Sequence, residues 1–180
     1  MTNSERFPGN WIHETAIIYE GAVIGTGNKI GPYCIIGAPP EYKGNDDISG
    51  NVRIGDNNTI TGLVTIDSGT YSGITFIDNN CYIMKGAHIG HDSFIYDDVT
   101  ISCGAKIGGH SIIYKGCVIG LNAVIHQHKK VPPGCMIGMG AVVTKNLYMD
   151  EFKIYAGNPA KYIGKNVRHP QYNINEKESL

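Results

Sequence analysis

The sequence predicts an all-β protein, a parallel β-helix of hexapeptide repeats wound in triangular coils, with a short C-terminal extension. Three observations carry that prediction. The first is composition: 24 of 180 residues are glycine, close to twice average usage. Isoleucine occurs 26 times and leucine only 4 times; β-branched side chains suit a pleated, half-buried surface, whereas helical bundles lean on leucine. The second is an aliphatic residue at every sixth position: Ile12, Ile18, Ile24, Ile30 and Ile36, then Ile48, Ile54, Ile60 and Ile66. After one deleted position the phase runs unbroken from Ile77 through Ile137 to Val143. The third is what surrounds that ladder. Glycine follows it at Gly25, Gly90, Gly108 and Gly120, and a small residue stands four positions after it at Ala16, Ala87, Ser93, Ala105 and Ala123. A period of six fits neither an amphipathic helix nor simple strand alternation. Three hexads close one coil of about 18 residues, and successive coils stack about 4.8 Å apart.

Taken in order, residues 1–10 form an N-terminal extension, residues 11–147 the β-helix, and residues 148–180 a C-terminal extension with a polar tail from about His169. Met1–Gly9 has no apolar core of a secretory signal, and no apolar run approaches the length of a membrane span. The reading is a cytoplasmic protein with no membrane insertion. Fifteen basic and sixteen acidic residues give a formal charge of -1, which provides no global field for nucleic acid or an anionic membrane. Five cysteines with no C-x-x-C pair imply neither a disulfide framework nor a thiolate zinc site. Cys34, Cys81, Cys117 and Cys135 fall in the small slot and read as interior hydrophobes.

Two segments break the phase. Ala38–Asp47, with two prolines and much polarity, reads as a loop leaving the body in place of one coil, with Tyr42 in the aliphatic slot. The interval from Ile66 to Ile77 is one short of two hexads, around Gly69 and Gly73. Interruptions of a repeat are where function is often added.

Positions 18 apart should stack. That rule puts Asp92, His110 and His128 in one column, His91, Gly109 and Gln127 in the next, and Gly90, Gly108 and His126 in a third, with His88 just upstream. A structural repeat gives no reason for four of seven histidines to gather there. Imidazole suits proton transfer near neutral pH. Asp92 could orient the His91 ring if the two meet, and the bare backbone N–H of Gly109 could receive an oxyanion. A base with an oxyanion donor one coil away fits acyl transfer.

The stretch Lys85-Gly-Ala-His-Ile-Gly-His-Asp92, with Ile12–Ala16, Ile36–Pro40, Val64–Thr70, Ile107–His110 and Val124–Gln127, resembles the UDP-N-acetylglucosamine O-acyltransferases of lipid A biosynthesis. The resemblance implies a left-handed coil and a homotrimer with sites between neighbouring β-helices. It implies His91 as general base, Asp92 as its orienting partner and Gly109 as oxyanion donor. His88, His110, His126 and Gln127 would line the substrate pocket, with Glu41 and Lys43 as partial counterparts of the family's loop contacts to the nucleotide sugar. Attack on the thioester would be direct, without an acyl-enzyme. Too little chain follows Leu147 for that family's C-terminal helical domain. The last segments, Ile137–Lys145 and Tyr155–Lys161, resemble instead the ending of hexapeptide acetyltransferases that use acetyl-CoA. On that likeness Gly140, Ala141, Asn158 and Lys161 are donor-binding candidates, and acetyl- or short acyl-CoA is slightly preferred over acyl carrier protein as the thioester co-substrate. Lys129, in a small slot, predicts a bulged coil and, with Lys130, a possible phosphate contact.

The expectation is therefore an acyltransferase acting on a hydroxyl or amine of a sugar or nucleotide-sugar, with no bound cofactor, no metal and no nucleic acid partner. One alternative is a γ-class carbonic anhydrase-like metal enzyme, disfavoured because Lys115 stands where the second zinc-binding histidine should be. The other is a purely structural β-helix, which the clustered histidines disfavour.

Overall fold

Each hexad folds as two extended residues and a four-residue corner, because its second residue is aliphatic and turns inward while the corner needs a left-handed backbone. The ladder residue is the buried member of pairs such as Tyr82–Ile83, His88–Ile89 and Phe94–Ile95. The third corner residue has φ of 53–59° at Asn80, Asp92, Asp98, His110, Asn122 and His128. Asn, Asp and His are the non-glycine residues that tolerate this region best. The repeat therefore selects polar, chemically capable side chains at one position of each corner.

The computed structural model describes residues 2–41, 43, 50–70, 73–167 and 169. Three sheets form the sides of a left-handed parallel β-helix. The first has nine strands, beginning at Trp11–Ile12; the second has seven, beginning at Ile17–Ile18; the third has six, beginning at Val23–Ile24. In the regular coils partners are 18 apart, as in Ile89 with Ile107, Ile107 with Ile125 and Ile125 with Val143. The ladder isoleucines fill the centre, and those from Ile30 onward are almost entirely withdrawn from solvent. Cys34, Cys81, Cys117 and Cys135 are buried free thiols, while Cys103 is exposed. Burial pushes the Cys81 thiol up to about 12 and the Cys135 thiol to about 11. These sulfurs are packing groups and not nucleophiles.

At the first phase break the pairing leaves no room for a coil, in keeping with the loop expected there, and only the second break differs from the sequence reading. Ile24 pairs directly with Ile54, thirty positions on, and Ile54 with Ile77, twenty-three positions on. No coil intervenes between Ile36 and Ile54: the described strands Ile35–Ala38 and Asn51–Ile54 follow one another in the second and third sheets. Ile48 and Tyr42, assigned ladder slots on phase, lie outside the described residues. The second break is not a deletion but an insertion between the strands Thr65–Asp67 and Ile74–Ile77. Both insertions leave the same corner, between the second and third sheets.

The ends are closed by different means. The single helical turn Asn3–Arg6 is held by a Thr2/Glu5 capping box, and Arg6 donates to Ile18 O at 2.9 Å. Phe7 is thereby buried at the end of the core. At the other end the ladder continues past residue 147. Tyr155 pairs with Ile137 in the next core slot, and its hydroxyl accepts from Asp150 N at 2.8 Å. The strand Lys161–Lys165 then folds back antiparallel on Lys153–Ala156, so the parallel edge is covered. Lys129 causes no bulge, since Lys130 and Val131 stay in register with Ile112 and Ile113. Its ammonium leaves the small slot and donates to the carbonyls of Lys145 and Leu147, away from any phosphate role.

Candidate functional site

The corner joining the second and third sheets carries the chemistry. Its regular members are Gly90–Ser93, Gly108–Ser111 and 126–129, one above the next, and the two insertions leave the same corner in the coils beyond them. Asp92, His110 and His128 each take the left-handed position, so their side chains leave successive coils along one line. The His110 and His128 rings stack at 4.5 Å, and the His91 ring meets His110 edge-on at 4.9 Å.

His91 Nδ1 lies 2.9 Å from Asp92 Oδ2. A carboxylate only accepts, so this contact puts the ring proton on Nδ1 and the lone pair on Nε2. Nε2 faces Gly109: a Cβ built on Gly109 would stand 2.7 Å from it. A side chain at position 109 would displace the ring. Among the described residues no carbonyl accepts the Gly109 N–H, while Gly108 N donates to Ile125 O and His110 N to His91 O. The 18-residue spacing expected His91, Asp92 and Gly109 together, the structure places them so, and it adds what a side chain at position 109 would meet.

Asp92 is clamped from the other side. Thr70 Oγ1 donates to Oδ2 at 2.7 Å, Thr70 N reaches both carboxylate oxygens at 3.2 and 3.1 Å, and Thr75 Oγ1 accepts from Asp92 N at 2.9 Å. Burial pushes the Asp92 carboxyl up, but the bonds from Thr70 and His91, with His110 nearby, outweigh it and hold it below the ordinary range. His88 Nδ1 contacts Thr65 Oγ1 at 2.8 Å, and its Nε2 stands 3.7 Å from Asp67 Oδ2. Burial lowers the His88 ring, and Lys106 adds to that, so His88 is held neutral. Asp67 is 7% exposed, and burial, reinforced by Glu41, raises its carboxyl to about 6. Burial lowers His110 as well, against the pull of Asp92.

Of the remaining candidates, Glu41 is exposed but close enough to act on both Asp67 and His88. Lys43 is exposed on the same loop, and His126 and Gln127 are exposed, with His126 Nδ1 bonded to Gln127 O at 2.7 Å. The donor candidates stand apart. Gly140 N donates to Leu121 O and Ala141 N to Gly138 O, so neither amide is open to a pantetheine. They occupy the corner between the first and second sheets. Asn158 and Lys161 are exposed at the turn that joins the two last strands, which accounts for Gly157–Lys161 as a chain reversal. Thr70, Thr75, Thr65 and Asp67 were missed as site residues. The signal available for Asp67 was an acid in the slot where glycine usually follows the ladder.

Ligand atoms of His91, Asp92 and His110 lie within 4.8 Å of one another, the one such group among the described residues that could hold a metal. Its carboxylate is already engaged by Thr70 and His91. Lys115, the poor zinc ligand of the carbonic anhydrase alternative, lies at a different corner and pairs with Asp98 at 3.4 Å. Among the described residues no helix is long and apolar enough to cross a membrane.

Fold and site together define a class: left-handed hexapeptide-repeat β-helices bearing a histidine–aspartate dyad at one corner. Within that class the chain resembles the UDP-N-acetylglucosamine O-acyltransferases. An acyl-[acyl-carrier-protein]–UDP-N-acetylglucosamine O-acyltransferase of Rickettsia canadensis (strain McKiel) is 35% identical, covering 45% of each chain. The same-named protein of an Anaeromyxobacter species is 37% identical over 41% of this chain and 30% of its own. Among solved structures, the UDP-N-acetylglucosamine acyltransferase of Bacteroides fragilis is 33% identical with a TM-score of 0.83, covering 92% of this chain and 64% of that one. The Campylobacter jejuni enzyme is 26% identical with a TM-score of 0.79, covering 95% and 79%. The chain spans less than half the length of the first curated relatives it matches. No family model matches it.

Proposed function

We propose that the protein is an acyltransferase that moves an acyl group from a thioester to a hydroxyl or amine of a nucleotide-sugar. The observation that carries this reading is the His91 ring, with its proton on Nδ1 against Asp92 and its Nε2 beside Gly109. Nε2 removes the acceptor proton as its oxygen or nitrogen attacks the thioester carbon, and Asp92 stabilises the imidazolium that forms. The Gly109 N–H receives the charge that develops on the carbonyl oxygen. Collapse expels the thiolate, which takes the proton back from the imidazolium, so the cycle is balanced without an acyl-enzyme. His88, His110, His126, Gln127, Glu41 and Lys43 bind the acceptor and acyl chain, and the site is completed in a homotrimer. Asn158 and Lys161 are the donor candidates left at an open surface.

The donor named for the curated relatives is an acyl-carrier-protein thioester, and the engaged amides of Gly140 and Ala141 favour it over acyl-CoA here. Mass spectrometry of reactions pairing each donor with a panel of nucleotide sugars tests the reading. The expected result is an acylated UDP-sugar and thiol release that depends on the acceptor, falling at least ~10²-fold in His91→Ala. Wild-type turnover by that variant would remove His91 as the base. Absence of acylated sugar with every donor would sink the reaction itself.

A further inference from the structure

We infer that Thr70, delivered by the insertion after Thr65–Asp67, is a positioning residue that fixes the Asp92 carboxylate and through it the His91 ring. The inference deepens the acyl-transfer reading of this corner and rests on it for its kinetic consequence only. Asp92 sits at a corner with a left-handed backbone, its side chain 12% exposed, and its own χ angles do not by themselves fix the carboxylate. From the regular repeat His110 Nε2 approaches the same carboxylate at 3.8 Å, beyond hydrogen-bond reach.

The insertion fills that gap. Thr70 meets the carboxylate with both its hydroxyl and its N–H, the hydroxyl on Oδ2, the same oxygen that accepts from His91 Nδ1. The loop is shaped to put it there. Gly73 N donates back to Thr70 O at 2.7 Å, and Gly73 O accepts from Asn51 N at 3.1 Å, while Gly69 N donates to Asn51 O at 3.1 Å. These bonds pin both ends of the turn to the neighbouring coil. Two glycines permit the pinch. A Cβ at Gly69 would lie 2.2 Å from the Gly73 carbonyl carbon, and a Cβ at Gly73 would lie 2.2 Å from Asp92 Oδ1. A side chain at either position would force the turn or the carboxylate aside. Hydrogen bonds to an ionised acceptor are strong and directional. Two donors on one residue, the hydroxyl and an N–H forked between both oxygens, leave the carboxylate a single orientation, the one in which His91 carries its proton on Nδ1.

Thr70→Val tests this, since valine keeps the shape and the backbone N–H but removes the hydroxyl donor. Two readouts are needed. In 15N NMR of His91 the Nδ1–H tautomer should lose population in Thr70→Val and regain it in Thr70→Ser. In kinetics kcat should fall about 10-fold with KM within about twofold, and Thr70→Ser should recover most of it. Gly73→Ala, whose Cβ would stand 2.2 Å from Asp92 Oδ1 and 2.7 Å from Thr70 O, displaces the carboxylate and the turn together, should give the same NMR change and serves if Thr70→Val folds poorly. An unchanged His91 spectrum in folded Thr70→Val, or a serine variant as impaired as the valine one, would overturn the assignment. The NMR arm decides it even if no acyl acceptor is found, so failure of the reaction and failure of the clamp are distinguishable.

Discussion

The corner that carries His91 and the corner between the third and first sheets are built from the same backbone turn, yet they do opposite things. At the second of these, the position just before each strand holds Asn10, Asn28 and Asn58, then Cys81, Val99, Cys117 and Cys135. Its asparagines point inward and bond coil to coil. Asn10 Oδ1 accepts from Asn28 N, Asn28 Oδ1 from Asn58 N and Asn58 Oδ1 from Cys81 N, at 2.7–2.8 Å. No insertion interrupts this corner among the described coils. At the histidine corner the polar groups point outward, two insertions break the repeat, and two carboxyl groups are shifted in opposite directions. The backbone thus sets where a side chain can stand; inward satisfaction gives stability and outward convergence gives chemistry.

That contrast can be broken by exchanging the effects. The largest is expected from Gly109→Ala at the histidine corner. A methyl 2.7 Å from His91 Nε2 must move the ring, and displacement by a fraction of an ångström to 1 Å costs on the order of 10²-fold in turnover. Thermal stability should stay near wild type; a large drop in Tm with normal turnover per folded molecule would contradict the assignment. Next is Asn58→Ala at the other corner. It strands the buried Cys81 N–H and removes the bond to Asp78 O, costing about 1–3 kcal/mol in denaturant unfolding. Turnover measured on the folded fraction should not change.

The smallest effect separates the two carboxyl groups of the histidine corner. Asp67 has a folded-state pKa raised to about 6. Ionising it in place costs stability, so its favourable contribution is present at acid pH and is lost as pH rises through about 6. Asp67→Asn should therefore raise stability above pH 7 by on the order of 1 kcal/mol, a few degrees in Tm, and leave it unchanged near pH 4. Asp92 has the opposite sign. Its pKa is depressed, so its contribution is present at neutral pH and lost only as pH falls below the ordinary carboxylate range. A scan in which Asp67→Asn lowers Tm at pH 8 would reverse the comparison.

Much of this was legible in the chain. A ladder of isoleucines six apart points to a closed coil, because a helix turns every sixth residue to a different face and a flat strand would also bury the position two beyond each one, which is polar at Lys85, His91 and Asp97. Once the coil is closed, Asp92, His110 and His128 must stack, and so must His91 and Gly109; the 18-residue spacing suffices. The same spacing misled at the second interruption. Phase counting read the interval from Ile66 to Ile77 as a deletion, because it records position modulo six and cannot tell a missing residue from extra ones looped out.

The sequence by itself determined the coil, its core and which residues share the histidine corner, since these follow from periodicity and from short-range backbone preference. Only the tertiary structure decided that both insertions leave that corner, that Thr70 closes on Asp92, and that the His91 lone pair faces Gly109. Those contacts join residues with no periodic relation, and their energy comes from hydrogen-bond directions and close approach that no spacing records.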